Sequence, residues 1–331
     1  MPNNSLKKPR RSNYHNLYLG VDGGGTKTQI VLINDAQEIV SEGVAGASNP
    51  LRVGIENAVT NIFTAIDNAC DSANRSRSDI VSATLGLAGV RRADIRQSVL
   101  DSFRKRLAVK KIQVFTDAEI ALYGTTLGKS GLVIIAGTGS ICIGQDEAGK
   151  IAMAGGWGPI AGDEGGGSGI AKRGLQAIAK ALDGRGKPTI ISQAGLDYFR
   201  TSTPENMLVA IYSPQVDNAR IAGFAKFVVE AAQENDEIAV GILKEAGCEL
   251  GCAAVAVIKK LKLERKKFPI GYVGSIFKAG ELLTDSLLET VYKTAPKAFL
   301  TAPKLIPAHA AAQLSFERRK NGTSKSQNSE R

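Results

Sequence analysis

The sequence predicts an α/β protein built from two related domains, on three observations. Strand-like and helix-like segments alternate with short loops over most of the chain. A strand, a glycine-rich turn and a second strand occur twice, at residues 17–33 and 131–144. The chain has 331 residues, enough for two domains that each have a core. We therefore expect two similar domains that face each other across a cleft, each presenting one hairpin to the same phosphates.

The first glycine-rich turn, DGGGTKT at residues 22–28, has the composition of a phosphate-binding hairpin. Glycines have no Cβ, so their N–H groups can approach a phosphate, and the Thr26 and Thr28 hydroxyls add donors. Asp22, at the strand end, is placed to hold a hydrated Mg²⁺. A Walker loop and a dinucleotide fingerprint are excluded, because Lys27 falls one residue late and a strand follows instead of a helix. The alternative is an ordinary tight turn with a solvated Asp22.

The first half of the chain continues as alternating strands and helices. β-Branched and apolar runs predict the strands, and apolar residues at helical spacing predict the helices. The strands are predicted at 17–21, 29–33, 82–89 and 111–117, and the helices at 55–73, 94–107 and 118–127.

The second half begins with the second hairpin and a glycine-rich segment at 153–169. Helical periodicity follows, and then a strand at 269–273 that is broken by Gly274-Ser275. The helices are predicted at 169–182, 190–199, 219–234, 237–262, 278–292 and 307–316. We expect domains at 17–126 and 127–316, with the last helix returning toward the N-terminal domain.

Composition places the protein among soluble globular chains, with 43% apolar and 22% charged residues. Most of its net charge of +10 lies in two tails, residues 1–16 at +4 and residues 317–331 at +3, which we expect to be disordered. The remainder carries about +3 and has no basic stripe interleaved with aromatic residues, so we expect no nucleic-acid partner. No run reaches the roughly 18 apolar residues of a membrane span, and no secretory signal precedes residue 17, so we expect a cytoplasmic protein.

Cysteine and histidine content limits the possible chemistry. The four cysteines form no CxxC pair, and Cys248 and Cys252 are expected to be buried and inert inside an apolar helix. Only His15 and His309 are present, which excludes a site with several histidine ligands and disfavours a Ser-His-Asp triad.

Asp117 ends a predicted strand and begins a predicted helix. It can serve as the N-cap of that helix, or as the carboxylate that accepts the proton of an attacking hydroxyl. The two phosphate hairpins favour the second interpretation, because phosphoryl transfer to an alcohol needs an acceptor close to the nucleophile.

Other residues have the chemistry of ligand contacts. In the second turn, Thr138 and Ser140 offer hydroxyls and Gly139 allows close approach, although a tight structural turn is the alternative. Trp157, the one tryptophan, lies between glycines, where it suits stacking on a sugar ring, with Asp163 nearby to accept from hydroxyls. The alternatives are a packed Trp157 and a turn or capping role for Asp163.

The order of the motifs DGGGTKT, GLAG, FTDA, AGTGS, GGWGPIAGDEG and YVGSIFKAGELL resembles the BadF/BadG/BcrA/BcrD ATPase family and, within it, kinases that act on N-acetylglucosamine. The resemblance covers about residues 17–316. It implies two ribonuclease-H-like domains of the actin, hexokinase and Hsp70 superfamily, with ATP in a cleft between them. It also implies a homodimer, a state that is frequent in the family.

The same resemblance implies residue roles. Asp117 would be the general base toward the 6-hydroxyl of the sugar, and Asp22 would hold Mg²⁺ through water. The cofactor-binding residues would be Gly24, Gly25, Thr26, Lys27, Thr138, Gly139, Gly274, Ser275 and Ala279. The residues that contact the amino sugar would be Asn49, Ser140, Gly156, Trp157 and Asp163.

Two positions depart from the family pattern. Ile141 follows Ser140 where such kinases often have an asparagine, which removes an amide that would contact the sugar. In the last helix His309-Ala310 replaces a common Gly-Ala pair, so close packing of that helix is expected to differ.

The resulting hypothesis is an ATP-dependent kinase that phosphorylates the 6-hydroxyl of an N-acetylated hexosamine, first of all N-acetylglucosamine. Kinases for glucosamine or N-acetylmuramic acid are alternatives with the same reaction. A dehydratase activator of the same family is a further alternative, but none of the four cysteines lies in an evident cluster-binding loop. A sugar-sensing regulator is disfavoured because no DNA-binding module precedes the first strand.

Overall fold

The structure is a computed structural model that describes residues 16–109 and 111–327, with side chains described as far as residue 318. The strands are β1 Leu17–Gly23, β2 Thr28–Ile33, β3 Ile39–Ala45, β4 Ile80–Leu87, β5 Lys111–Thr116, β6 Gly131–Ala136, β7 Ser140–Gln145, β8 Ile151–Gly155, β9 Pro269–Val273 and β10 Phe299–Thr301. The helices are α1 Pro50–Val53, α2 Ile55–Ser72, α3 Ala93–Arg104, α4 Asp117–Thr126, α5 Gly158–Ala161, α6 Gly167–Leu182, α7 Ile191–Phe199, α8 Pro204–Ile211, α9 Asn218–Gly223, α10 Ala225–Gln233, α11 Glu237–Leu261, α12 Glu281–Tyr292 and α13 Pro307–Gln327.

The chain divides into two compact units. The first unit comprises residues 1–120 and 306–331, and the second comprises residues 121–305. The division falls inside α4, and α13 belongs to the first unit. The predicted domains were 17–126 and 127–316. The prediction therefore placed residues 121–126 in the first domain and residues 306–316 in the second, whereas the structure places each range in the other unit.

The first unit contains a five-stranded sheet in the order β3-β2-β1-β4-β5. The first three strands in sequence pair antiparallel, and β4 and β5 add to β1 in parallel. Alternation along β1 points Leu17, Leu19 and Val21 to one face, where they pack in a core with α2 and α3. Both faces of this sheet are therefore available to helices.

The second unit repeats that topology. Its sheet has the order β10-β9-β6-β7-β8, with β6, β7 and β8 antiparallel and β9 and β10 added in parallel. The hairpin β6–β7 thus occupies the position that β1–β2 occupies in the first unit. The predicted duplication of the strand-turn-strand pattern is confirmed at the level of sheet topology.

α13 packs on the other face of the first sheet through residues with small side chains. A Cβ on Gly20 would lie 2.1 Å from the Ala308 carbonyl oxygen and 2.1 Å from the Ala312 nitrogen, so the helix backbone lies directly on β1. At the end of this contact, the rings of Tyr18 and Phe316 meet edge to face at 4.9 Å. The glycine that permits the approach is in the strand, although the helix itself has His309-Ala310 where the family pattern has a glycine.

Several local predictions are corrected by the structure. Cys248 and Cys252 are exposed, because they lie on the outer side of α11 and the buried side is formed by residues such as Leu243, Leu250 and Ala254. The predicted helix 219–234 consists of α9 and α10. The helix predicted at 307–316 continues to Gln327, because the Glu, Arg and Lys residues that follow are good helix formers despite their tail-like composition.

In the part of the chain that the structure describes, no helix is long and apolar enough to cross a membrane. Among the same residues, no three His, Cys, Asp or Glu side chains are grouped so that they could hold a metal ion.

We predict that Gly20→Ala lowers the unfolding midpoint, because its methyl group would overlap the backbone of α13, and such overpacking costs about 1–3 kcal/mol or more. Thermal unfolding followed by circular dichroism measures the effect. Gly241→Ala is the matched control, since a Cβ at this exposed helical position meets nothing within 4 Å; there we expect an unchanged or higher midpoint. Equal behaviour of the two variants would contradict the close packing of α13 on β1.

Candidate functional site

The predicted catalytic carboxylate, Asp117, and the predicted metal-binding carboxylate, Asp22, lie at one edge of the first sheet. Gly23 pairs with Leu87, and Leu87 pairs with Thr116, so β1, β4 and β5 end at the same level. Asp22 is the penultimate residue of β1, and Asp117 follows β5 directly. In parallel sheets this carboxyl edge is where ligands bind.

The first glycine-rich turn is held by backbone bonds on both sides. The Gly24 N–H donates to the Lys27 carbonyl (3.0 Å), while the Gly24 carbonyl accepts from the N–H groups of Ser48 and Asn49 (3.0 and 3.1 Å). Glycine is required at position 23, where a Cβ would lie 2.2 Å from Ser48 Oγ. Thr26 and Lys27 are exposed at the tip, in the position where a ligand would meet them.

Thr28 does not point at the ligand side of this turn. It is buried, and its hydroxyl donates to the Gly46 carbonyl (2.6 Å) and hydrogen-bonds Ser48 Oγ (2.8 Å). The expectation that this hydroxyl adds a phosphate donor is therefore wrong. As the first residue of β2, Thr28 fixes the base of the turn.

The helix cap at the end of β5 is Thr116, not Asp117. Thr116 Oγ1 accepts from the Glu119 N–H (3.1 Å), and Glu119 Oε2 accepts from the Thr116 N–H (2.7 Å), which is a reciprocal capping box. Asp117 Oδ1 accepts from the adjacent Ala118 N–H (2.9 Å). The carboxylate of Asp117 is thus not needed to cap α4, and the sequence signal TDAE for the box was missed.

Burial raises the pKa of both carboxylates. Desolvation is the main cause for Asp22, whose pKa rises from 3.8 to about 6, with a further increase from the Asp117 charge and a decrease from Lys27. Desolvation also raises the pKa of Asp117, against the effect of its backbone hydrogen bonds. Asp117 itself is nevertheless exposed to solvent, so a ligand can reach its carboxylate.

Asn49 lies beside the first turn. Its Oδ1 caps the short helix α1 by accepting from the Leu51 N–H (3.0 Å), and its own N–H donates to Gly24 as described above. Its amide NH₂ donates no hydrogen bond among the described residues, so it is available to a ligand. Nearby, Arg52 Nη1 donates to the Gly25 carbonyl (3.1 Å) and fixes the outer side of the turn.

The second hairpin turn is supported by the start of α6. The Gly167 N–H donates to the Gly137 carbonyl and the Ser168 N–H to the Thr138 carbonyl, both at 2.8 Å. The Ser168 hydroxyl also donates to the Thr138 carbonyl (2.9 Å). These bonds fix the turn against the start of α6, and the Thr138 side chain remains exposed.

Asp163 lies against the second turn. It is buried, its Oδ1 accepts from the Ser140 N–H (3.0 Å), and a Cβ on Gly139 would lie 2.6 Å from its carboxylate oxygens. Desolvation raises the pKa of Asp163, while the bond from Ser140 lowers it. The structure therefore brings together three predicted ligand residues, Gly139, Ser140 and Asp163, in the second unit.

The tryptophan loop projects from the second unit. Trp157 is 69% exposed, so the alternative that it packs in a core is wrong. Gly156, just before it, has φ +72°, a left-handed conformation that favours glycine. The loop thus presents an aromatic face to its surroundings.

A cavity of about 450 Å³ in the second unit begins at the second turn. Of the predicted cofactor-binding residues, Thr138 and Ser275 line it, whereas Ala279 is buried behind it. Gly274 has φ +119°, and a Cβ there would lie 2.1 Å from the Ala136 carbonyl oxygen, so glycine brings β9 against the base of the hairpin.

Sequence reasoning missed the other wall of this cavity. This wall is formed by α9 and α10. The sequence signal that could have indicated it is the run of small residues at positions 219, 222 and 223, because small side chains on one side of a helix leave room for a ligand. The residues of this wall are Ala219, Ala222, Gly223, Ala225, Lys226, Val229, Glu230 and Gln233.

Comparison with known proteins identifies the family. The sequence profile of the BadF/BadG/BcrA/BcrD ATPase family matches residues 19–314. The chain belongs to this family. An N-acetylmuramic acid/N-acetylglucosamine kinase from Clostridium acetobutylicum is 31% identical over 86% of this chain and 94% of its own length. An N-acetyl-D-glucosamine kinase from Dictyostelium discoideum is 29% identical over 92% of this chain and 99% of its own length.

Solved structures share the fold of this BadF/BadG/BcrA/BcrD ATPase family member. A candidate N-acetylglucosamine kinase from Chromobacterium violaceum superposes with a TM-score of 0.74 at 28% identity, covering 91% of this chain and 99% of its own. A glucokinase from Streptomyces griseus, solved with glucose and an ATP analogue, shares the fold with a TM-score of 0.56 at 18% identity over 91% of this chain and 99% of its own. The predicted pair of ribonuclease-H-like α/β domains is confirmed.

We predict that Asp22→Asn stabilises this family member at pH 7.5. Because the folded-state pKa of Asp22 lies above its unfolded value, stability is highest when the group is protonated and falls as the pH rises from about 4 through about 6. An asparagine cannot ionise and avoids this loss, which we expect to amount to about 1–2 kcal/mol after allowance for solvent. Urea unfolding without divalent cations measures it.

The gain should shrink toward zero near pH 4. Asp101→Asn, at an exposed carboxylate of α3, is the control and should show no such pH-dependent gain. A variant Asp22→Asn that is less stable than wild type at pH 7.5 would count against the assigned burial of this charge.

Proposed function

We propose that the chain transfers the terminal phosphoryl group of ATP to the 6-hydroxyl of an N-acetylated hexosamine, first of all N-acetylglucosamine. The use of ATP follows from membership of an ATPase family. The acceptor is proposed from the two relatives that are named for phosphorylating N-acetylglucosamine and that match most of this chain. The observation that carries the proposal is Asp117, a carboxylate at the carboxyl edge of the sheet that its helix does not need as a cap.

Asp117 is proposed as the general base. Its raised pKa makes it a stronger proton acceptor than an ordinary aspartate, which is the property that this role needs. The bond from the Ala118 N–H occupies one oxygen and orients the carboxylate, so the other oxygen remains for the acceptor's hydroxyl. The proton of that hydroxyl would pass to Asp117 as the oxygen attacks phosphorus.

Asp22 is proposed to hold Mg²⁺. Its pKa of about 6, raised by burial and by Asp117, marks a negative charge that the surrounding protein compensates poorly. A divalent cation suits such a site, because hard cations prefer carboxylate oxygen and water. When bound, Mg²⁺ would neutralise charge on the phosphates of ATP.

The two glycine-rich turns are proposed to contact the phosphates. In the first turn the contacts come from the N–H groups of Gly24 and Gly25, the Thr26 hydroxyl and the Lys27 ammonium. In the second they come from Thr138 and Gly139, next to the start of α6, where the helix dipole favours an anion. Gly274, Ser275 and Ala279 are proposed to border the nucleotide.

The acceptor is proposed to contact Asn49, Ser140, Gly156, Trp157 and Asp163. The unbonded NH₂ of Asn49 supplies a donor to a sugar hydroxyl or acetyl oxygen. The exposed Trp157 ring supplies an apolar face for the C–H side of a pyranose. Asp163 shares its buried carboxylate with the Ser140 N–H, and its other oxygen can accept from a hydroxyl.

We predict that Asp117→Asn lowers turnover by about 10²- to 10⁴-fold while ADP and sugar still bind, because an amide keeps the shape of the side chain but cannot accept the proton. A coupled assay of ADP release gives the turnover, and calorimetry gives the two affinities. Asp94→Asn removes an exposed carboxylate that pairs with Arg92 on α3, and it should leave the rate unchanged. Turnover close to wild type in Asp117→Asn would remove the assigned base.

A panel of acceptors tests the substrate. We expect the highest kcat/KM for N-acetylglucosamine among N-acetylglucosamine, N-acetylmuramic acid, N-acetylmannosamine and glucosamine. Ile141, in place of an amide that could contact the sugar, is the reason to include all four. If glucosamine alone is phosphorylated, the acceptor is not an N-acetylated hexosamine and that part of the proposal is wrong. If none of the four sugars supports ATP turnover, the kinase assignment is contradicted.

A further inference from the structure

The 450 Å³ cavity of the second unit joins two different chemical environments. Part of its lining is formed by Gly137, Thr138 and Gly167, which belong to the hairpin turn and the start of α6. Under the proposed function, on which this inference rests, this turn receives phosphate. Side chains of α10 also line the cavity, and no role has yet been given to them.

One face of α10 runs along the cavity. Lys226, Val229, Glu230 and Gln233 follow one another at helical spacing, so they form a single stripe. With a rise of about 1.5 Å per residue, Glu230 lies about 7.5 Å and Gln233 about 12 Å along the helix from Ala225. Ala222, on α9, lies close to the start of α6, since a Cβ on Gly167 would lie 3.1 Å from the Ala222 carbonyl oxygen.

The cavity has room for a ring. Its lining from α9 is formed by Ala219, Ala222 and Gly223, whose side chains are too small to fill it. Ser275 and Ile276 also line it. A ligand anchored by phosphate at Thr138 would therefore place its next ring, the ribose of a nucleotide, beside α10.

Glu230 is the one carboxylate among the described residues that line the cavity. Its side chain is 45% exposed, and it forms an ion pair with Lys226 at 3.4 Å, one helical turn earlier. An exposed pair at this spacing contributes little to stability, so its removal should leave the fold intact. An ionised carboxylate can only accept hydrogen bonds. The two neighbouring hydroxyls of a ribose can both donate, so a carboxylate is a suitable partner for them.

We propose that Glu230 accepts hydrogen bonds from the ribose hydroxyls of the nucleotide and selects ribonucleotides over deoxyribonucleotides. Lys226 holds the carboxylate in place from one side. Lys226 and Lys278, which also line the cavity, leave this region with a net positive charge, in keeping with a polyphosphate ligand. Glu230 thereby acts as a specificity residue for the phosphoryl donor.

Calorimetry with ADP, 2′-deoxy-ADP and 3′-deoxy-ADP tests the proposal directly, since it needs no sugar. We expect wild type to bind ADP about tenfold or more tightly than the deoxy analogues, because each analogue leaves a charged acceptor without its partner. In Glu230→Gln the ratio should fall to about threefold or less, mainly through weaker binding of ADP. The kcat/KM ratio of ATP to 2′-deoxy-ATP should fall in parallel.

Two variants separate this role from the loss of a surface charge. Glu234→Gln removes the next acid of the chain, which is exposed and does not line the cavity, and should keep the wild-type ratio. Lys226→Met breaks the same ion pair but leaves the carboxylate, so most of the discrimination should remain. A Glu230→Gln variant with the wild-type ratio would overturn the proposal.

The base and the acceptor are controlled separately. If Glu230→Gln changes the preference for ATP over GTP and leaves the ribose ratio unchanged, the residue contacts the base and the proposal is wrong. If wild type phosphorylates none of the sugars but binds ADP with the expected discrimination, the proposed acceptor fails and the inference about Glu230 stands. Failure of wild type to bind ADP would overturn the inference.

Discussion

Close packing against glycines in and beside the two hairpin turns is the constraint on which the rest of the structure depends. A Cβ would collide with Ser48 at Gly23, with Asp163 at Gly139, and with the backbone of Ala136 at Gly274. A larger residue at any of these positions would therefore overlap neighbouring atoms. The N–H groups on the outer side of a turn packed in this way are held in position before any ligand arrives, which lowers the cost of binding an anion.

The first unit concentrates negative charge where catalysis is proposed. Its fold brings Asp22 and Asp117 to one edge, and burial together with their mutual repulsion raises the pKa of Asp22 to about 6. The Thr116–Glu119 capping box, which the Arg96 side chain supports through Glu119, satisfies the start of α4 without Asp22 or Asp117. The structure thus tolerates two poorly solvated carboxylates at the carboxyl edge of the sheet, while other residues cap α4. Such an arrangement is common at sites under functional constraint.

The fold was largely predictable from the sequence. The raised pKa values of Asp22 and Asp117 and the α9–α10 wall of the cavity in the second unit were not. Repetition of the strand-turn-strand pattern and its glycines identified both hairpins, since local chemistry dictates such turns. The outward position of Cys248 was missed because apolar neighbours in α11 suggest burial without saying which side of the helix meets the core. Glu230 was missed because its proposed role depends on its lining one cavity together with Thr138 and Ser275, which lie far from it in the chain.

The position of α13 has a consequence for synthesis. Until residues 306–316 have left the ribosome, Tyr18, Val31 and Ile33 have no helix to cover them, although the residues that form their own sheet were translated roughly two hundred residues earlier. The second unit, in contrast, is continuous in sequence and can close its core before translation ends. The nascent chain therefore leaves this apolar sheet face uncovered from the completion of β5 until α13 has been synthesised.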